Sequence, residues 1–175
     1  TKRCSEILKK ISKKQIKEDF FLSSIKFEDL LEEIINSFKE TSSKKIDLIT
    51  ENDKNKIAIQ RTPEIIYGLR NFIGNAVKFS RSKVKISLKS DQKIIEIKIN
   101  DDGPGIPEDI IEKIGEPYIK SKSKELNSNS GLGLGSFLGK TLLERQGAKF
   151  LFRRNSDLGG ALVILTWSPN NFTDS

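Results

Sequence analysis

The chain has 175 residues, 35% of them hydrophobic and 31% charged, which is enough for one α/β domain with a short appendage. It has no histidine and one cysteine, Cys4, so histidine-based metal sites, a Ser–His or Cys–His nucleophile and an internal disulfide framework are excluded. Lys and Arg number 31 against 24 Asp and Glu, and the net charge of +7 suits an anionic ligand, an acidic partner, nucleic acid or a membrane surface.

The first third of the chain predicts two helices followed by two short strands. Residues 1–17 repeat apolar side chains at helical spacing on an otherwise basic segment, and residues 18–24 are expected to form a linker. Ser23 and Ser24 are expected to cap a second helix, whose apolar positions recur with helical period from Phe27 to Phe38. Residues 45–50 and 56–60 alternate apolar and polar side chains, which predicts strands.

The rest of the chain predicts two helices, four strands and one long loop. Pro63 suits the first turn of a helix whose core face runs from Ile66 to Phe79. Residues 83–89 and 93–100 alternate around a polar turn and predict a hairpin. Residues 101–130 are rich in Gly, Pro and polar side chains, and a loop of this length is typical of a functional segment or a disordered one. A helix over 132–146, strands over 149–154 and 161–166, and a tail over 169–175 complete the prediction.

The predicted third helix carries one polar face. Asn71, Asn75 and Lys78 stand at i, i+4 and i+7, so they lie on the same side of the helix. An amide oxygen can bind Mg²⁺ without adding charge, and an ammonium group can meet a phosphate. Taken alone, such a face is more often a solvated surface.

Two glycine-containing segments follow. Asp101 comes directly after a predicted strand and before Gly103, Gly105 and Ile106. Its carboxylate could accept a hydrogen bond from the exocyclic amine of a purine, although an ordinary turn has the same composition. Residues 131–135 alternate glycine with leucine and open a predicted helix, where backbone N–H groups can bind an anion. Their spacing matches neither the Walker A loop nor the Rossmann fingerprint.

Together these three segments resemble the N, G1 and G2 boxes of the ATP-binding domain of sensor histidine kinases. The pattern is Asn-x-x-x-Asn-Ala-x-Lys at 71–78, Asp-x-Gly-x-Gly-Ile at 101–106 and Gly-x-Gly-Leu-Gly at 131–135. Residues 116–122 are similar to the F box of these kinases, with Tyr118 where Phe is usual and Lys122 at the closing position. The resemblance covers residues 25–167 and extends to the superfamily of gyrase, Hsp90 and MutL ATPases.

The resemblance implies an α/β fold and a domain organisation. The fold would be a two-layer sandwich, the Bergerat fold, with a mixed sheet of about five strands backed on one face by three helices. The ATP-binding domain would comprise residues 25–168, with a lid at about 106–130. Residues 1–17 would be the end of a dimerisation and phosphoacceptor helix.

The resemblance also implies a role for each site residue. Asn75 would be the Mg²⁺ ligand with Asn71 beside the phosphates, Lys78 would neutralise phosphate charge, and Asp101 would bind the adenine amino group. Lys122 would approach the γ-phosphate, and it would form the catalytic set with Asn75 and Lys78. The remaining positions expected at the nucleotide are Gly103, Gly105, Ile106, Tyr118, Gly131, Leu132, Gly133, Leu134 and Gly135.

Partners follow from the same resemblance. The phosphoryl group of ATP would pass to a histidine on the chain's own dimerisation domain and then to a response regulator. The full-length protein would be a homodimer with this domain in the cytoplasm and an anchor in the bacterial inner membrane, and it would not bind nucleic acid.

A narrower resemblance is to the redox-responsive RegB/PrrB type of kinase, carried by residues 3–8, 115–118 and 135–145. In that type a cysteine at the position of Cys4 is linked to redox control, although a small residue in a helix seam would have the same pattern. The alternatives are an ATPase of the gyrase, MutL or Hsp90 type, an anti-sigma serine kinase, and a nucleic-acid-binding module suggested by charge alone. The ATPases usually carry a catalytic Glu just ahead of the metal-binding Asn, where this chain has Asn71.

Overall fold

The computed structural model describes residues 5–7, 24–52, 57–114, 134–154 and 157–169. Residues 5–7 are helical, as predicted, and Cys4 lies outside the described residues. The elements that follow are β1 (Ser24–Lys26), α1 (Phe27–Lys39), β2 (Lys45–Asn52), β3 (Ala58–Gln60), α2 (Pro63–Phe79), β4 (Lys83–Ser90), β5 (Ile95–Asp101), α3 (Glu108–Ile111), α4 (Leu134–Arg145), β6 (Lys149–Arg154) and β7 (Ala161–Trp167). In the described parts of the chain, no helix combines the length and the hydropathy that crossing a bilayer requires.

The central sheet has five strands in the order β2-β4-β5-β7-β6. Strands β2 and β4 pair in parallel, whereas the other neighbours in this sheet pair antiparallel. Strands β1 and β3 form a separate antiparallel ribbon. The predicted mixed five-stranded sheet and the β4–β5 hairpin are therefore confirmed.

One face of the sheet forms the core. Alternate residues of β4 (Val84, Ile86, Leu88) and of β5 (Ile95, Ile97, Ile99) are at most 2% exposed, as the period of a strand requires. Helices α1 and α2 cover this face, and α4 packs against α2. The ring of Trp167 at the end of β7 lies 5.7 Å, centroid to centroid, from that of Phe27 at the start of α1. Burial of each such side chain contributes about 1.5–3 kcal/mol.

The expected capping of α1 by serine is wrong. Ser24 belongs to β1 and pairs with Gln60, and α1 begins at Phe27 without a side-chain cap. The backbone N–H of Phe27 donates to the carbonyl of Ile57 instead (3.0 Å). Pairing with a strand that lies more than thirty residues away in sequence thus replaces the local cap. Helix α2 does begin as predicted, because Pro63 occupies its first turn and Thr62 accepts a hydrogen bond from the N–H of Ile65 (3.3 Å).

Helices α2 and α4 approach closely because α2 carries a glycine at their contact. A Cβ atom on Gly68 would overlap Cγ of Leu143 and would lie 2.7 Å from its Cδ1. Leu143 is fully buried and belongs to the same core as the sheet. The distance between the two helices therefore depends on the missing side chain of Gly68.

We expect Gly68→Ala to lower the free energy of unfolding by about 1–3 kcal/mol, because overpacking Leu143 outweighs the better helix propensity of alanine. Gly74→Ala is the control, since its Cβ would lie 3.1 Å from the tip of the Phe38 ring and clash less. Urea denaturation of both variants measures the difference. Equal stabilities would show that the Gly68–Leu143 contact does not set the helix spacing.

Candidate functional site

Asp101 places a carboxylate at the edge of the core. It is the last residue of β5, and its side chain continues the inward series Ile95, Ile97 and Ile99 on the helix-covered side of the sheet. The residue is only 5% exposed. A charged group in this position needs hydrogen-bond donors close by.

Two backbone turns supply those donors. Oδ1 of Asp101 accepts hydrogen bonds from the N–H groups of Gly103 (2.9 Å) and Ala161 (3.2 Å). The N–H of Gly160 also donates to the backbone carbonyl of Asp101 (3.1 Å). Burial raises the pKa of Asp101, and the bonds from Gly103 and Ala161 offset part of that rise. The position of the carboxylate is therefore fixed both by the turn that follows it and by a segment sixty residues away in sequence.

Glycines allow these turns to reach Asp101. A Cβ on Gly160 would overlap Asp101 and lie 2.6 Å from the backbone nitrogen of Gly103. A Cβ on Gly103 would overlap the carbonyl of Phe79 and lie 3.0 Å from Oδ1 of Asp101. Gly105 has a φ of 81°, a left-handed conformation that favours glycine. Gly160 was not among the predicted site residues; its place in a Gly-Gly turn at the start of β7 was the available signal.

The two asparagines of the polar face of α2 lie against the first turns of α4. Nδ2 of Asn75 donates to Oγ of Ser136 (3.2 Å) and to Oδ1 of Asn71 (3.4 Å). A Cβ on Gly135 would lie 2.5 Å from Nδ2 of Asn71, and a Cβ on Gly139 would lie 3.2 Å from Cβ of Asn71. Gly135 thus has a packing role besides the predicted contact with phosphate. Ser136 and Gly139 were missed, because no sequence pattern links them to α2.

The turn after Asp101 lies against the C-terminal end of the helix that carries the asparagines. Asn75 precedes Phe79, the last residue of α2, by four residues, which is about 6 Å along the helix axis. The carbonyl of Phe79 in turn lies against Gly103 in the turn after Asp101. The helix that carries Asn75 and the turn that follows Asp101 are therefore in contact through Phe79 and Gly103.

Two cations lie at the C-terminal end of α2. Lys78 is exposed in the last turn, as predicted. Lys44 was missed: its Nζ donates to the carbonyls of Val77 (2.5 Å), Lys78 (3.2 Å) and Ser80 (2.7 Å). Such bonds satisfy the carbonyls that a helix end leaves free, and the charge suits the negative end of the helix dipole. Lys44 also lowers the pKa of Asp101 by its charge, less strongly than burial raises it.

Asp102 has a different environment from its neighbour. Its carboxylate accepts hydrogen bonds from the N–H of Arg81 (2.8 Å), from the N–H of Ser82 (3.1 Å) and from the hydroxyl of Ser82 (2.7 Å). Burial alone would raise the pKa of Asp102, but the bonds from Ser82, Lys83 and Arg81 outweigh it and lower the pKa to about 2. Asp102 therefore stabilises the turn between α2 and β4.

The predicted lid is described only in its first part. Ile106 is half-buried, and α3 contacts β6, where the carboxylate of Glu108 lies 3.0 Å from the guanidinium of Arg154. Leu134 is the first residue of α4. The predicted site residues Tyr118, Lys122, Gly131, Leu132 and Gly133 lie outside the described residues.

Among the described residues, no group of three or more acidic, cysteine or histidine side chains is arranged to hold a metal ion. A divalent cation at this site would have the amide oxygen of Asn75 as a protein ligand, and a ligand's own oxygens and water would supply the others. This arrangement fits Mg²⁺, which keeps several waters and binds together with substrate phosphates.

Comparison with known proteins identifies the family. The family model for histidine kinase-, DNA gyrase B- and HSP90-like ATPases matches residues 60–171, which include the Asn75, Asp101 and Ser136 positions. The chain belongs to this family. The superfamily predicted from the three motifs is therefore confirmed.

Sensor histidine kinases are among its curated relatives. The chain is 44% identical over 110 residues to the sensor histidine kinase RegB of Cereibacter sphaeroides, a match that covers 60% of this chain and 24% of that protein. It is 29% identical over 101 residues to the sensor histidine kinase CpxA of Escherichia coli, covering 58% of this chain and 22% of that protein. The chain spans about a quarter of the length of these relatives.

Solved structures confirm the fold. The catalytic domain of the histidine kinase ThkA superposes with a TM-score of 0.66 at 25% identity, covering 85% of this chain and 97% of that one. A mycobacterial sensor histidine kinase, MprB, superposes with a TM-score of 0.69 at 18% identity, covering 83% and 97% of the two chains. The predicted α/β sandwich is thus the fold of histidine kinase catalytic domains.

Asp102→Asn should weaken the fold at neutral pH by about 1 kcal/mol, because a charged acceptor of three hydrogen bonds is lost. The folded pKa of about 2 lies below the ordinary pKa of 3.8, so the stabilisation by the ionised carboxylate is fully present at pH values above 3.8. It is lost as the pH falls through the folded pKa. Urea denaturation at several pH values should show the two proteins converging in acid; a constant difference would contradict the assignment.

Proposed function

We propose that this chain binds ATP with Mg²⁺ and presents the γ-phosphate to a histidine outside it, as the catalytic part of a two-component sensor histidine kinase. The observation that carries the proposal is the buried Asp101 carboxylate, fixed by two turns beside the end of the helix that carries Asn75. Membership of the ATPase family supports nucleotide binding, and the similarity to RegB supports the kinase.

Asp101 would bind the adenine amino group. A carboxylate that backbone N–H groups already position does not reorganise when a purine enters. A hydrogen bond to a charged acceptor contributes about 1.5–3 kcal/mol. Gly103, Gly105 and Ile106 follow directly and would contact the base.

Asn75 and Lys78 would act at the phosphates. The amide oxygen of Asn75 would hold the Mg²⁺, which neutralises phosphate charge when bound. Lys78 lies one turn further along α2, exposed and free of any described ion pair, so its ammonium group can reach an anion. Gly131, Gly133, Gly135, Leu132, Leu134, Tyr118 and Lys122 keep the roles predicted from the resemblance.

The arrangement favours phosphoryl transfer over hydrolysis. ATPases of this superfamily use a Glu about one turn ahead of the metal-binding Asn, and this chain has Asn71 there. A neutral amide cannot take a proton from water, and Asn71 is packed against Gly135 and Gly139. Phosphoryl transfer to a histidine asks the protein for positioning and charge neutralisation rather than covalent chemistry.

The acceptor must come from elsewhere, because the chain has no histidine. We propose that it lies on a dimerisation domain preceding residue 18 and that the phosphoryl group then passes to a response regulator. The homodimeric full-length protein, its inner-membrane anchor and the redox role of Cys4 are part of the same proposal.

Calorimetry or a thermal-shift titration tests nucleotide binding. ATP with Mg²⁺ at about 100 times its Kd should add about 2.7 kcal/mol of stability and raise Tm by roughly 5–10 °C. Asp101→Asn and Asn75→Asp should remove most of this shift, whereas Asp102→Asn should keep it because that carboxylate binds the α2–β4 turn. Normal binding by both site variants would refute the site assignment.

Loss of binding in Asp101→Asn should not come from unfolding. Burial raises the folded pKa of Asp101, so the folded state is most stable while this carboxyl group is protonated. Stability falls as the pH rises through the folded pKa, and the ionised carboxylate therefore lowers stability at neutral pH. The neutral asparagine lacks this cost. We expect the variant to be at least as stable as the wild type in urea at neutral pH.

Gly160→Ala tests whether the two turns position Asp101. The added Cβ would displace the carboxylate and should weaken ATP binding on the order of tenfold. Gly159→Ala is the matched control: Gly159 has a φ of 90° but open space around it, so it should cost about 1 kcal/mol of stability without changing ATP affinity. Equal ATP affinities in the two variants would show that the two turns do not position Asp101 for binding.

A further inference from the structure

We infer that Ser136 is a positioning residue that fixes the side-chain amide of Asn75, so that its carbonyl oxygen rather than its NH₂ group faces the metal ion. The inference rests on the proposed function for the presence of Mg²⁺. The contact itself, between the first turns of α4 and the middle of α2, is independent of any ligand.

The hydrogen bonds at Asn75 define the orientation of the amide. A side-chain amide has two N–H donors on nitrogen and accepts only at oxygen. Nδ2 of Asn75 has two acceptors within reach, Oγ of Ser136 at 3.2 Å and Oδ1 of Asn71 at 3.4 Å. Among the described residues, no hydrogen bond reaches Oδ1 of Asn75. Nδ2 therefore has protein acceptors on Asn71 and Ser136, and in this orientation the oxygen can face a cation.

Asn71 determines the direction of the amide. A Cβ on Gly135 would lie 2.5 Å from Nδ2 of Asn71, and one on Gly139 would lie 3.4 Å from its Oδ1, so α4 confines that side chain. Its Oδ1 can only accept a hydrogen bond. Rotation of the Asn75 amide by half a turn would bring two carbonyl oxygens together, which is unfavourable.

Ser136 supplies the shorter of the two bonds. A hydroxyl can donate or accept, so Ser136 cannot choose the orientation alone. It adds a second acceptor for Nδ2 once Asn71 has set the direction. Without it, Nδ2 keeps only the longer bond, and states with the NH₂ group toward the metal become more populated. Such states cannot ligate a cation.

The position of Ser136 also links two parts of the site. It lies in the first turn of α4, directly after the glycine segment 131–135 predicted at the phosphates. The hydrogen bond therefore connects the metal-ligand helix to the phosphate-binding segment. Displacement of the first turn of α4 would break this bond and leave Asn75 with only the longer bond to Asn71.

The test measures how much Mg²⁺ increases the affinity for ATP. Calorimetric titrations of the 175-residue chain with ATP, once in excess Mg²⁺ and once in EDTA, give this ratio. Ser136→Ala should lower the ratio about threefold to tenfold, the worth of one hydrogen bond, with ATP affinity in EDTA unchanged. Ser136→Thr, which retains a hydroxyl, should restore most of the ratio.

Thr141→Ala is the matched control. It removes a hydroxyl from the same helix, at a position turned away from α2, and no hydrogen bond of that hydroxyl is found among the described residues. Its ratio should equal that of the wild type. An unchanged ratio in Ser136→Ala, or an equal loss of affinity with and without Mg²⁺, would overturn the inference.

A second measurement separates this inference from the proposed function. Hydrogen exchange of the Asn75 side-chain amide can be followed by NMR in the protein without nucleotide or metal. Ser136→Ala should accelerate this exchange severalfold, and Thr141→Ala should not. Wild-type protein that fails to bind ATP would refute the function but leave the exchange result decisive for the contact. Unchanged exchange would overturn the contact itself.

Discussion

Burying the carboxylate of Asp101 at the end of β5 constrains much of this domain. The charge is tolerated because the N–H groups of Gly103 and Ala161 reach it. Those groups can approach only if the turn after β5 and the turn before β7 both lack side chains on that side, which is why Gly103 and Gly160 stand there. The same packing brings the end of α2 against Gly103, so the surroundings of one buried side chain connect a strand, two turns and a helix end.

The contact between α2 and α4 is the second constraint, and it combines apolar and polar packing. Toward one end, Gly68 receives Leu143, a contact within the core. Toward the other, Asn71 packs against Gly135 and Gly139, and Asn75 donates a hydrogen bond to Ser136. At both ends of the contact, a glycine lets the two helices approach closely. The side chains expected at the metal are therefore held by the rigid part of the fold rather than by a loop.

The adjacent residues Asp101 and Asp102 have opposite pKa shifts. Asp101 faces the core, where burial raises its pKa and the N–H groups of Gly103 and Ala161 hold the carboxylate in position. Asp102 points the other way, where donors from the α2–β4 turn lower its pKa to about 2. The two residues are adjacent at the end of β5, and neighbouring side chains of an extended chain point to opposite sides. Positive charge near the end of α2, from Lys44 and Lys78, adds to a local field that favours anions.

The amino-acid sequence by itself determined the class of fold, the order of the main elements and the three motifs, because hydrophobic period and glycine placement are local properties. The helix that Pro63 begins followed from such patterns, and the mixed sheet of five strands followed from the family resemblance that the motifs carry. Only the tertiary structure decided that Ser24 belongs to a strand paired with Gln60, and that Lys44, Ser136 and Gly160 join the site. Each of these depends on a partner more than thirty residues away, and close approach of distant backbone is set by packing, which no local pattern records.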